Sequence, residues 1–233
     1  MDRIDASRTA LVLVDYQARL LPAMGGGANV LAHALLLADA AALLGVTIVG
    51  TEQNPAGLGP NVDVIRERCA RTLAKTHFDA CEDGLLDALG AVPEVVIAGC
   101  EAHVCLLQTA LGLRRAGKAL WVVAPACGSR DAADHALAMQ RLRDGGATIV
   151  GTEMVVFEWL HDCRHPRFRE VLARLKARPA APTPPAVSAP RHDARVRQRP
   201  ASAATTMAAT RRGASAPDPV PDDTPIDPRR RMP

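Results

Sequence analysis

The sequence predicts an α/β fold, a three-layer αβα sandwich around a mostly parallel six-stranded sheet. Three observations lead there. Short β-branched runs alternate with longer Ala/Leu-rich runs through residues 1–178. The short runs show no polar alternation, which marks strands buried on both faces of a sheet covered by helices. Several long runs stop at glycine, the residue that most easily takes the left-handed turn closing a helix.

The elements follow in order. "ALVLVDY" (10–16) is an apolar strand that ends in an aspartate. "NVLAHALLLADAAALLG" (29–45) is a helix closed by Gly45, with the "GGG" at 25–27 before it read as a flexible loop. "VTIVGTEQ" (46–53) is the second strand and "RTLAKTHF" (71–78) the third. "CEDGLLDALGA" (81–91) is a short helix leading into the strand "EVVIAG" (94–99). "HVCLLQTALGLRRAG" (103–117) is helical and stops at Gly117. "KALWVVAPA" (118–126) is the fifth strand, "DAADHALAMQRLRDGG" (131–146) a helix with an Asp cap, and "ATIVGT" (147–152) the sixth strand. "EMVVFEWLH" and "PRFREVLARLKA" close the domain as helices. No internal repeat is present.

Composition changes at Pro179. Twelve of the 18 prolines lie at or after it, whereas all six aromatics (Tyr16, Phe78, Trp121, Phe157, Trp159 and Phe168) precede it. Such a segment buries too little apolar surface to offset its ordering entropy, so residues 179–233 are expected to be a disordered Pro/Ala/Arg-rich tail behind a folded domain at 1–178. The tail holds nine Arg and five Asp, which takes its net charge to +4 and leaves the domain near neutral. Nucleic acid is therefore not an expected partner of the domain, and the tail reads as a solvated segment. "ALVLV" is too short to span a membrane, and no signal peptide is apparent. The six cysteines form no CxxC pair, so a reducing, cytosolic setting with free thiols is expected.

In parallel sheets function gathers at the carboxyl ends of strands. That rule selects Asp15, Glu52 and Gln53, Lys75, the turn at 99–105, and Ala126–Arg130. The turn reads "AGCEAHVC" (98–105). Its His103 and two cysteines lack a second pair at zinc-like spacing, and "HDCRH" (161–165) reads as packing or capping, so no metal is expected. One glycine is too few for a dinucleotide loop. Cys105 falls in the first turn of a helix, where unpaired N–H groups and the helix dipole favour a thiolate and can hold an oxyanion. A buried cysteine packing as a small apolar residue explains the same position. Asp15 has no clear helix to cap, and Lys75 sits among apolar residues where an unpaired ammonium is costly. Together they suggest a carboxylate base, an ammonium partner and a thiol nucleophile. On this reading Cys105 is the most reactive thiol of the chain.

The stretches "LVLVDYQ" (11–17), "TEQNPAGLG" (51–59), "KTHFDAC" (75–81), "AGCEAHVCLLQTALGLRRAG" (98–117), "APACGSR" (124–130) and "HPRF" (165–168) resemble the isochorismatase-like cysteine hydrolases. The similarity covers about residues 8–176 and is nearest the isochorismatase domain-containing proteins, whose substrates are largely undefined. It implies a triad of Asp15, Lys75 and Cys105. It also implies a cis peptide between Cys100 and Glu101, and an oxyanion hole formed by the N–H groups of Glu101 and Cys105. Nicotinamidases of the family carry an Asp/His metal cluster after the second strand. The matching "EQNPAGLG" has no His, so neither a metal, another cofactor nor a nicotinamide substrate is expected. Isochorismatases proper lack the cysteine, so isochorismate is not the expected substrate either. The family often reads Thr-Asp where this chain has Ala102-His103. The expected activity is hydrolysis of a C–N bond in a small amide-type molecule. Leu20, Asn54, Phe78 and His103 are the candidate pocket residues, with helix capping or packing as the other reading of His103, and a homo-oligomer is expected to complete the pocket. Two other functions fit the same fold: a catalytically silent binding or regulatory protein, and a thiol redox sensor using Cys100 and Cys105.

Overall fold

The structure, a computed structural model, describes residues 3–177; the expected disordered tail lies outside the described residues. Six parallel strands form one sheet: β1 (Thr9–Val14), β2 (Thr47–Gln53), β3 (Arg71–Lys75), β4 (Glu94–Gly99), β5 (Ala119–Val123) and β6 (Thr148–Val150). Their spatial order is β3-β2-β1-β4-β5-β6. Helices α1 (Gly27–Leu44), α2 (Pro55–Leu58), α3 (Asp63–Arg66), α4 (Leu85–Leu89), α5 (Leu107–Arg115), α6 (Ala132–Asp144), α7 (Thr152–Leu160) and α8 (Phe168–Ala177) connect and cover the strands. The expected α/β sandwich is what forms, with every strand pair parallel.

β1 and β4 are buried at every residue, which is why they read as unbroken apolar runs. Leu11, Leu13 and Ile97 are fully buried and each contributes about 1.5–3 kcal/mol by leaving water. α1 carries the long Ala/Leu run and packs against β2, α7 and α8. Its length and apolarity would also suit a membrane span, but its Val30, Ala34, Leu37, Ala38 and Ala41 are buried in the core. The "GGG" is ordered rather than flexible: Gly26 (φ 68°) takes the left-handed conformation that starts α1, and Gly27 is its first residue.

Several boundaries differ from the sequence reading. β1 ends at Val14, because Asp15 adopts φ 55° and turns the chain out of the sheet. β3 stops at Lys75, and β5 gives way to a tight turn at Ala124–Ala126. The run expected as one helix from 103 begins instead with a wide turn at Ala102–Leu106, where the Leu106 N–H reaches back to the Glu101 carbonyl at 3.2 Å. The short helices α2 and α3 carry no apolar period of their own and were not foreseen.

Strand order reverses between β1 and β4, whose register places Val14 beside Gly99. This switch point is where an open parallel sheet leaves room for a ligand. Gly99 is required there, since any side chain would collide with the Val14 backbone carbonyl and Cβ. The close approach brings the residues after β1 and those after β4 side by side.

Candidate active site

Three strand ends converge on one buried cluster. Asp15 follows β1, Lys75 ends β3, and Cys105 lies in the wide turn after β4. Asp15 and Lys75 side chains are wholly buried, and Lys75 Nζ stands 2.9 Å from Asp15 Oδ2. Oδ2 accepts no well-directed hydrogen bond besides this ion pair. Oδ1 accepts one from the Thr51 hydroxyl at 2.6 Å. The Asp15 N–H donates to the Thr51 carbonyl at 3.1 Å, which fixes the residue's backbone at its left-handed turn. A non-glycine residue at that φ is uncommon, though aspartate tolerates it better than most, and such conformations concentrate at functional sites. The ion pair answers the question raised by a lysine in an apolar run: its charge is balanced inside the protein.

Cys105 is 4% exposed. Burial, then the Asp15 carboxylate, push its thiol up to about 12, while Lys75 opposes them and loses. This corrects the expectation of a thiolate stabilised at a helix start. The turn is wide rather than the start of a regular helix, and desolvation of a buried thiolate outweighs the neighbouring ammonium. These surroundings favour the protonated thiol. Alkylation should report this. Cys163 is exposed, so iodoacetamide at pH 7 is expected to label Cys163 before Cys105. The Cys105 rate should rise about tenfold per pH unit well beyond pH 9. Peptide mapping across pH checks this, and a Cys105 rate that levels off below pH 8 would contradict it.

Gln53 was singled out only as a strand-end residue. Its Oε1 accepts from Lys75 Nζ at 2.5 Å, and the Cys105 thiol points at the same oxygen from 3.8 Å. The register that pairs Gln53 with Lys75 puts both side chains on one face of the sheet. Gln17 is a site residue that the sequence pattern does not reveal. It is fully buried, and its amide donates to the Gln53 carbonyl at 3.0 Å and accepts from the Gln53 N–H at 2.9 Å. The side chain thus replaces the ladder partner that β1 withdraws by turning away at Asp15.

The peptide between Cys100 and Glu101 is cis, as the resemblance implies. Glu101 precedes the wide turn; its carboxylate pairs with Arg130 at 2.5 Å and its carbonyl accepts from Val104 and Leu106. Cys100 is fully buried, and its thiol is pushed upward by burial and then by Cys127. Cys105 instead answers to Asp15 and Lys75, so the two thiols of the redox reading face different surroundings.

The expected pocket residues separate. Asn54, at φ 40°, lines a cavity of about 210 Å³ with Pro55, Ala74, Lys75, Thr76 and Asp83. His103 lines another of about 370 Å³ with Asp79, Leu107 and Arg115, and its Nδ1 lies 3.0 Å from the Ser129 hydroxyl. It belongs to a different cavity from Lys75, because the wide turn carries it toward Ser129. Phe78 stands 49% exposed and Leu20 is half-buried. In "HDCRH", Asp162 pairs with Arg164, and His165 accepts from the Arg167 N–H at 3.1 Å. Among the described residues no group of three or more His, Cys, Asp or Glu is placed to hold a metal.

The model of the isochorismatase domain matches residues 9–154, most of the described chain, and spans all three strand ends of this cluster. The chain belongs to the isochorismatase family. Isochorismatase domain-containing protein 2 of Danio rerio is 32% identical over 184 residues, 78% of this chain and 93% of that protein. Among solved structures, the MAR1 ribonuclease of Caenorhabditis elegans superposes with a TM-score of 0.73 at 30% identity, covering 78% of this chain and 99% of that one. The YcaC gene product of Escherichia coli, described as an octameric hydrolase of unknown specificity, superposes at 0.67 with 25% identity, covering 76% and 97%. These likenesses place the chain in the isochorismatase domain-containing subgroup anticipated from its motifs.

Proposed function

We propose that this isochorismatase-family chain is a cysteine hydrolase that cleaves a C–N bond of a small amide-type substrate. One observation carries the reading: a fully buried Asp15–Lys75 ion pair acting on the Cys105 thiol at the switch point of the sheet. Asp15 takes the thiol proton as Sγ attacks the acyl carbon. The oxyanion that forms is held by the N–H groups of Glu101 and Cys105. The C–N bond breaks, the amine leaves with the proton from Asp15, and a Cys105 thioester remains. Asp15 then activates a water that releases the acid and restores the thiol. Lys75 balances the Asp15 carboxylate in the resting site and again each time its proton has been passed on.

The family and the YcaC neighbour support a hydrolase-like activity, and that neighbour's octamer supports a homo-oligomer here. The MAR1 neighbour raises a second reading, cleavage of RNA. Burial favours the first: Cys105 is 4% exposed and Asp15 wholly buried, within reach of a small molecule rather than a polymer backbone.

A panel of small amides, with an RNA substrate alongside and Cys105→Ala as control, tests the proposal. Turnover of an amide is expected, with loss in Cys105→Ala and a mass increment on Cys105 at short times. EDTA is expected to leave turnover unchanged, since the loop after β2 offers Glu52, Gln53 and Asn54 but no His. RNA cleavage that survives Cys105→Ala would overturn the reading. So would an EDTA loss restored by zinc or manganese.

A further inference from the structure

We propose that Gln53 is a positioning residue that seats the Lys75 ammonium and the Cys105 thiol against one shared acceptor. The inference rests on the cysteine hydrolase reading, and the geometry behind it is specific. Gln53 Nε2 donates to the Thr76 carbonyl at 2.7 Å, so the amide is oriented and Oε1 must face the cluster. The main chain of Gln53 is held at both its N–H and its carbonyl by the Gln17 amide. Lys75 Nζ stands 2.9 Å from Asp15 Oδ2 and donates to Gln53 Oε1 at 2.5 Å and to the His77 carbonyl at 3.4 Å. The shortest of these contacts is the one to Gln53, which draws the ammonium toward the amide oxygen and weakens its hold on the sulfur.

The Thr76 and His77 N–H groups both donate to Asp83 Oδ2 at 2.9 Å. That carboxylate therefore anchors the short turn whose carbonyls receive Gln53 and Lys75. The arrangement extends from Asp83 through the turn to Gln53, and from Gln53 to the two reacting groups. Its consequence is electrostatic. A thiol that donates to a neutral amide oxygen is favoured in its protonated form, and an ammonium shared with the same oxygen acts less strongly on sulfur.

Removing the acceptor has a sign that lost packing does not share. Gln53→Met keeps the volume but frees one Lys75 N–H and leaves the thiol without its amide partner. Both changes favour the thiolate. The charged groups acting on Cys105 are Asp15 and Lys75; of the nearby ionisable side chains, Glu101 is paired with Arg130, and His103 lies against Ser129.

The experiment is the pH profile of Cys105 alkylation by iodoacetamide, read by peptide mapping in the full chain. It requires no substrate. If wild type turns over no amide, the hydrolase reading fails while the Gln53 comparison still stands. The expected result is a Gln53→Met profile moved to lower pH by roughly one unit, with amide turnover down and KM little changed. Gln53→Asn, which retains a buried amide but is one methylene too short, should move the same way and serves if Gln53→Met does not fold. Profiles that coincide with wild type in a folded variant would overturn the proposal. A profile moved to higher pH would overturn it as well.

Discussion

Asp15→Asn is expected to slow acylation of Cys105 by an activated ester roughly 10²–10⁴-fold, the range for a lost general base. The structure makes this substitution unusually clean. Asparagine accepts the left-handed backbone that Asp15 adopts at φ 55°. Its amide oxygen can keep the Thr51 hydroxyl bond seen at 2.6 Å. The amide nitrogen then stands where Oδ2 met Lys75, so the ammonium loses its carboxylate but keeps the Gln53 and His77 oxygens. What is lost is the capacity to take the thiol proton, together with the charge that balances Lys75. Because the Cys105 thiol is pushed up to about 12, little thiolate exists at neutral pH to bypass the missing base. The wild-type advantage should therefore narrow as pH rises toward the range where the thiol ionises unaided. Equal rates in the two proteins at pH 7 would remove Asp15 from the mechanism.

Lys75→Met is expected to cost more stability than Asp15→Asn, about 3–5 kcal/mol in urea denaturation, as for any buried ion pair broken from one side. The asymmetry comes from the neighbours. Without the ammonium, Asp15 Oδ2 is a fully buried carboxylate oxygen with no well-directed hydrogen bond. Gln53 Oε1 loses its charged donor at the same time. Acylation should fall together with stability. Asp15→Asn/Lys75→Met should regain part of the stability without the rate, because the uncompensated charge is gone while the base is still missing. A Lys75→Met chain as stable as wild type would mean the pair is not sealed from water.

The fold was legible because buried parallel strands leave unbroken apolar runs and the core helices close on glycine. Residues such as Leu11, Leu13 and Ile97 declare their burial in any reading of the chain. Asp15 and Lys75 were legible for the opposite reason: each is a charge where the pattern demands an apolar neighbour. Gln17 and Gln53 were not assigned a role, because a glutamine near a strand end is unremarkable until the chain is seen to leave the sheet at Asp15. No residue type announces that turn. The desolvation of Cys105 was not legible, because helix-start reasoning is local whereas burial depends on packing from distant segments. His103 lines a different cavity from Lys75, because the wide turn rotates the residues after Glu101 relative to a regular helix.

The three groups of the proposed triad do not ride on equally secure elements. Asp15 and the Cys105 turn extend from β1 and β4, the two central strands, buried at every position. Lys75 extends from β3, the outermost strand on its side, whose first four residues are half-buried or exposed. Amide hydrogen exchange in such a sheet is graded: edge strands open in small, frequent excursions, and central strands exchange only on global unfolding. Each opening of β3 withdraws the ammonium while base and thiol stay in place. The site therefore has a local free energy of assembly smaller than the stability of the domain. A shallow rise in temperature, or a modest concentration of denaturant, should silence the chemistry well before the chain unfolds.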